Sequence, residues 1–174
     1  KTADLNDSNF GASGSPVGTI TATGGGTFNL AVGAATTVGD VDLSGMTTAA
    51  TTNIALSNST TVGITATLGA GADTFVGTGG ADNITASTGA DTITGGTGDD
   101  SIILTEAVGS KSVDHINMSL TAANGLDVIT GFTFGTGGDE LDVELLGGGD
   151  VSAEAAVSAN QAQLNATSTS VLVF

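Results

Sequence analysis

Residues 68–103 read LGAGADTFV, GTGGADNIT, ASTGADTIT, GGTGDDSII when cut into nines, and this stretch decides the fold. The fourth place is always Gly (Gly71, Gly80, Gly89, Gly98) and the sixth always Asp (Asp73, Asp82, Asp91, Asp100). The eighth is always large and apolar (Phe75, Ile84, Ile93, Ile102). Four copies in phase are an internal repeat. Each nine predicts a short strand with one inward apolar side chain, preceded by a turn whose glycines supply the backbone freedom a tight bend needs. Neither piece buries its apolar face alone, so copies must stack on one another. In a flattened two-sided coil two nines make one turn of 18 residues, which sets Asp73 above Asp91 and Asp82 above Asp100.

The frame returns further on. Asp127 lies 27 residues after Asp100, and its neighbours Gly125, Val128 and Ile129 restore the pattern. Residues 104–121 match poorly, with Gly109 and Met118 where Asp is expected, and read as an insertion of two nonapeptides' length. Looped out, this insertion puts Asp127 on the edge of Asp73 and Asp91; wound as a degenerate coil, it interposes Gly109 on that edge.

Composition excludes whole classes of function. The 174 residues carry 18 Asp+Glu against 2 Lys+Arg, a formal net charge of −16, with no Arg at all. Neither a nucleic-acid backbone nor an anionic membrane finds a basic partner here. No run of about 18 apolar residues predicts membrane insertion, and the first residues, KTADLNDSNF, lack the apolar segment of a signal peptide. Zero Cys excludes disulfides, thiolate catalysis and sulfur-ligated zinc. His115 has neither a second His nor a Gly-x-Ser-x-Gly elbow to work with, so the expectation is a loop residue in a protein that is not an enzyme. The 39% hydrophobic content separates the chain from disordered sequences. Its 28 Gly, lacking a period of three, separate it from collagen.

Flanking the repeat, residues 1–67 hold short alternating runs, GTITAT, GTFNLAV, GDVDL, TNIAL and TVGIT, that predict strands. Gly131 to Val143 predicts one or two strands with an acidic turn, in which Asp139, Glu140, Asp142 and Glu144 form either a solvated edge or a weaker metal site. The Ala-rich run Val151 to Leu164 predicts a short helix capped by Asp150. The terminal Val171 to Phe174 predicts a strand able to pair with a neighbour's sheet edge. Three segments follow: a strand-rich 1–67, a metal-binding roll over 68–145, and a tail over 146–174.

Stacked carboxylates repel unless a cation lies between them. Carboxylates combined with backbone carbonyls of Gly-rich turns suit a hard ion of irregular coordination, which is Ca²⁺ rather than Mg²⁺. The alternative is a rank of merely solvated turn aspartates. Asp99, beside the Asp82/Asp100 pair, either tightens that site or is solvated. Outward Thr-x-Thr pairs such as Thr92/Thr94 suggest an ice-binding face, but within the repeat only that pair is complete.

GGTGDD followed by SII resembles the Gly-Gly-x-Gly-x-Asp-x-apolar-x nonapeptide of RTX proteins, and LDVITGFTFGTGGDELDV resembles the segment that closes many RTX β-rolls. The resemblance implies an all-β parallel β-roll, a β-solenoid with calcium in its turns, exported by type I secretion and folding on meeting external calcium. It also implies ligands: Asp73, Asp82, Asp91 and Asp100 with carbonyls near Gly71, Gly80, Gly89 and Gly98. Asp127, from its place in the frame, is either a further ligand that completes a site with Asp91 or an ordinary turn aspartate. The Thr/Ala/Gly/Val bias and acidic pI are similar to RTX-bearing bacterial surface-layer proteins. The expected function is therefore a secreted, calcium-dependent structural subunit at a bacterial cell surface. It would self-associate into an S-layer-like sheet, extracellular matrix or filament, with cell-surface polysaccharide as a further partner. The alternatives are the non-catalytic C-terminal domain of a type I-secreted enzyme or toxin, and an adhesin or ice-binding module.

Overall fold

The computed structural model describes residues 3–7, 18–32, 38–56, 62–106, 112–119, 125–144, 150–152 and 171–173. Among them the chain forms strands and no helix. In order these are β1 (Ala3–Asp7), β2 (Ile20–Gly24), β3 (Thr27–Val32), β4 (Val41–Met46), β5 (Thr51–Ala55), β6 (Thr65–Thr67), β7 (Ala72–Val76) and β8 (Asn83–Ala86). They continue with β9 (Thr92–Thr94), β10 (Ser101–Leu104), β11 (His115–Ser119), β12 (Val128–Thr130), β13 (Glu140–Glu144), β14 (Asp150–Ser152) and β15 (Val171–Val173).

From β1 to β13 the strands alternate between two parallel sheets, the odd-numbered in one and the even-numbered in the other. The chain thus winds as a two-sided β-solenoid, the parallel β-roll that the repeat predicts. Side-chain alternation explains why it stacks: from β3 to β12 the strands turn apolar residues inward and leave the residues between them on the outer face. In the odd sheet Leu30, Ile54, Phe75, Ile93, Ile116 and Leu141 follow one another in register as a single buried rank. In the even sheet Val41, Ala66, Ile84, Ile102 and Ile129 form the opposing rank. These ranks run through residues on both sides of 67 without interruption.

Four of the five runs expected upstream lie in β2 to β5, and β1 is an additional strand. The fifth, TVGIT, is corrected: the strand there is Thr65–Thr67, because Ile64 turns inward ahead of it on the solenoid edge. Downstream of the repeat, residues 104–121 are neither looped out whole nor wound as a two-strand coil. After Leu104, which closes β10, their described residues contribute one strand, β11, which pairs with β9, and the chain then returns to pair β12 with β10. A single strand reverses the parity of everything that follows. His115 opens β11 rather than lying in a loop, and Met118 faces the core.

Both sheets end on antiparallel strands, β13 with β14 and β12 with β15. The Val171–Val173 strand therefore pairs within its own chain. Asp150–Ser152 is strand where the start of a helix was expected, and residues 153–164 of that expected helix lie outside the described residues.

Candidate metal centre

Each edge of the solenoid carries a ladder of buried aspartates. On the odd edge the Oδ1 of each rung accepts the backbone N–H one coil earlier: Asp73 from Thr52 (3.0 Å), Asp91 from Asp73 (2.9 Å), Asp114 from Asp91 (2.9 Å) and Asp139 from Asp114 (3.1 Å). On the even edge Asp82 accepts from Ile64 (2.9 Å), Asp100 from Asp82 (2.9 Å) and Asp127 from Asp100 (2.8 Å). The expected stacking of Asp73 over Asp91 and of Asp82 over Asp100 is present. Asp127 lies on the edge opposite to the one expected, over Asp100, because the single strand β11 shifted the parity.

The second oxygen of a rung faces the turn of its own coil. Asp73 Oδ2 accepts Gly69 N (3.0 Å), Asp82 Oδ2 accepts Thr78 N (2.7 Å) and Asp139 Oδ2 accepts Thr133 N (2.7 Å). Asp91, Asp100 and Asp114 each leave that oxygen buried and without a hydrogen-bond partner. An unmatched buried carboxylate oxygen is costly, and a cation is the partner that suits it.

The turns supply the remaining donors. Gly89, Gly96 and Gly98 adopt φ of 132°, 122° and 113°, a region closed to most side chains. A Cβ on them would meet the backbone of the preceding turn, at Gly71 O, Thr78 O and Gly80 respectively. Glycine is thus required where successive turns bring their carbonyls together. Between these glycines, hydroxyls bridge coils: Thr97 Oγ1 donates to Gly79 O (3.1 Å) and Ser87 Oγ to Leu68 O (2.8 Å).

Burial pushes Asp91 up to about 7, with the charges of Asp114, Asp73 and Glu106 adding to the rise and the Asp73 N–H opposing it. Asp100 is also pushed up to about 7, by burial first and then by Asp82, Asp127 and Asp99. Burial raises Asp114 to about 6, and raises Asp73 and Asp82 as well. A column of acids that resists ionising, open to carbonyl-rich turns, fits a hard divalent cation. Among the described residues no three His, Cys, Asp or Glu side chains form a group able to hold a metal ion by themselves, so the turn carbonyls would have to complete any donor set here.

Other expected positions separate from this pattern. Asp99 Oδ1 accepts Leu126 N (2.8 Å) and pins the turn before β12. Asp139 belongs to the odd ladder, while Glu140 and Asp142 are exposed on the outer face. His115 Nδ1 lies 3.2 Å from Glu140 Oε2 across that face. Gly71 and Gly80 are buried in the turns beneath Gly89 and Gly98; Gly109 lies outside the described residues. A fixed period of nine misses Asp114. The signal for it is the short string Asp-x-apolar, Asp114-His115-Ile116, with the rung immediately before its strand.

A family model for the RTX calcium-binding nonapeptide repeat matches residues 67–102 in four copies. No curated protein and no solved structure matches the chain.

Proposed function

We propose, from the premise that residues 67–102 are four RTX calcium-binding nonapeptide repeats, that this chain is a secreted structural protein whose solenoid is completed by calcium and which serves as a subunit of an extracellular array. Calcium is the ion of the repeats, and the repeat β-roll is a non-catalytic structural motif. RTX repeats typify secreted extracellular proteins, and no helix among the described residues is long and apolar enough to cross a membrane. The observation that carries the proposal is the ladder itself, with buried carboxylate oxygens on Asp91 and Asp100 that lack a protein partner. Bound there, calcium neutralises charge that otherwise holds the coils apart. Asp73, Asp82, Asp91, Asp100 and Asp127, with the carbonyls of the Gly-rich turns, are the residues that would hold it.

Self-association is supported by the outer face of the even sheet. From β6 to β12 its ranks in register are Thr65, Asn83, Ser101 and Val128, and beside them Thr67, Thr85, Ile103 and Thr130, none of them charged; the second rank meets a charge only at Asp42 of β4. On a chain of net charge −16 such a face is where acidic copies, or a neutral surface such as cell-wall polysaccharide, approach without repulsion. Electron microscopy of the purified chain in calcium and in chelator is the test. Periodic assemblies that disappear on chelation support the array, and a calcium-loaded monomer at high concentration overturns it.

A further inference from the structure

Asp82 and Asp100 hold the same place in successive coils of the even edge, and they differ in what satisfies them. Both rungs sit in their turns alike: a Cβ on Gly77 would collide with Asp82 Oδ2, and one on Gly95 with Asp100 Oδ2. Each Oδ1 accepts one backbone N–H from the coil before, Ile64 N for Asp82 and Asp82 N for Asp100, both at 2.9 Å. There the likeness ends. Asp82 Oδ2 accepts Thr78 N at 2.7 Å, and Asp82 Oδ1 lies 2.8 Å from Thr78 Oγ1, whereas Asp100 Oδ2 is buried with no partner. Gly96 stands in the Asp100 turn where Thr78 stands in the Asp82 turn, and it brings no hydroxyl.

Thr78 is itself buried and its hydroxyl is fully engaged. The oxygen accepts Gly80 N at 3.1 Å, and its one proton has Asp82 Oδ1 at 2.8 Å and Val62 O at 3.1 Å to choose between. The charged acceptor at the shorter distance takes it. Asp82 thus gathers three donors from the protein, where Asp100 gathers one. A carboxylate with three donors keeps its charge without an ion beside it.

We propose that Thr78 closes the turn of Asp82 without calcium, so that on this edge the ion is held at the turn of Asp100 and not at that of Asp82. The inference rests on calcium being the ion of the repeats, and it narrows the set of carboxylates that would hold it. An ion entering the Asp82 turn has to displace both donors of Thr78 from the carboxylate. At Asp100 Oδ2 it displaces nothing, and it satisfies an oxygen that is otherwise orphaned. Threonine in the second place of a repeat is therefore a substitute for the ion, carried by the chain itself.

Native mass spectrometry of the full chain in calcium counts the bound ions. Asp100→Asn is expected to hold one calcium fewer than wild type, and Asp82→Asn the wild-type number. Thr78→Gly, which gives the Asp82 turn the leading glycine pair of the Asp100 turn, should hold one more. Thr78→Ser keeps the hydroxyl and should hold the wild-type number. An Asp82→Asn chain that loses a calcium, a folded Thr78→Gly chain that gains none, or a gain in Thr78→Ser overturns the inference and leaves the repeat sites standing. If Thr78→Gly does not fold, the two Asn variants decide between the turns by themselves. A wild-type chain that binds no calcium overturns the reading beneath it as well.

Discussion

The coils before the repeat and the coils within it share one core and differ at their edges. In the odd sheet the position occupied by Asp73 is occupied one coil earlier by Thr52 and two coils earlier by Phe28. On the even edge Ile64 precedes Asp82. Coil length differs in step. Thr27 pairs with Thr51, 24 residues on, and Val41 with Ala66, 25 on, whereas Thr74 pairs with Thr92 and Asn83 with Ser101, 18 on in both cases. The longer turns include buried apolar residues such as Val38 and Leu56. Of the short repeat turns only the first holds such a residue, Leu68; the others are built of glycine, alanine, small polar residues and aspartates. The inward apolar rank is thus common to both regions, and it is the chemistry of the edges that distinguishes them.

The most severe way to break this comparison is to remove calcium. In chelator, backbone amides of residues 72–104 should lose most of their hydrogen-exchange protection while those of residues 41–56 keep theirs, as separate cooperative units do. Equal loss across both regions would mean that the repeat coils hold the N-terminal ones in place.

Single rungs come next. Asp100→Ala removes the acceptor of the buried Asp82 N–H and should destabilise the calcium-loaded chain by about 2 kcal/mol or more, the cost of a charge-assisted buried hydrogen bond. Asp100→Asn keeps an oxygen for that N–H and no charge. It should lower calcium stoichiometry yet raise the melting temperature in chelator, an opposition of sign that a merely solvated aspartate would not produce.

Acidity separates the two regions by a third route. Asp91 and Asp100 are raised to about 7 and Asp114 to about 6 in the folded chain, against 3.8 for a free carboxyl. The folded state therefore binds more protons than the unfolded state between those values, and the contribution to stability is full below pH about 4 and lost as pH rises through 6 to 7. Melting in chelator should rise as pH is lowered from 8 to 5. Calcium affinity should fall over the same interval, because protons and calcium compete for the same oxygens.

Glycine substitutions give the smallest contrast. Gly24 (φ 98°) has open space where a Cβ would sit, and Gly98 (φ 113°) would place one 2.7 Å from Gly80 C. Gly24→Ala should cost about 1 kcal/mol from backbone conformation alone, and Gly98→Ala more than that, by thermal melting in calcium.

The repeat is legible in the sequence because its turns have constant length, so a period of nine exposes rung and strand together. Strands β2 to β5 are legible from alternation of apolar and polar residues. The region after Leu104 is not legible by period. Asp114 follows Asp100 by 14 residues and Asp127 follows Asp114 by 13, so two enlarged turns sum to three repeat lengths and imitate an in-frame return. What survives a change of turn length is the local string, as in Asp127-Val128-Ile129 and Asp139-Glu140-Leu141, since the rung and its strand remain rigidly joined. His115 looks like a loop residue for the same reason: its segment has no partner in phase, although Ile116 and Met118 alternate as an inward face.

Every rung of the ladder reaches backward, its carboxylate holding the amide of the coil before it. Along the ladder each coil is therefore latched by its successor, which gives the ladder a polarity independent of its sheets. Outside the ladder, Asp40 and Asp99 hold the amides of Thr65 and Leu126 in the coil that follows. A polar ladder needs a terminator. Asp139 provides one on the odd edge, because its own N–H is taken by Thr133 O (2.8 Å) and its Oδ2 by Thr133 N, both within its own turn. That edge ends by folding its last latch onto itself, so the number of coils is written into the chain.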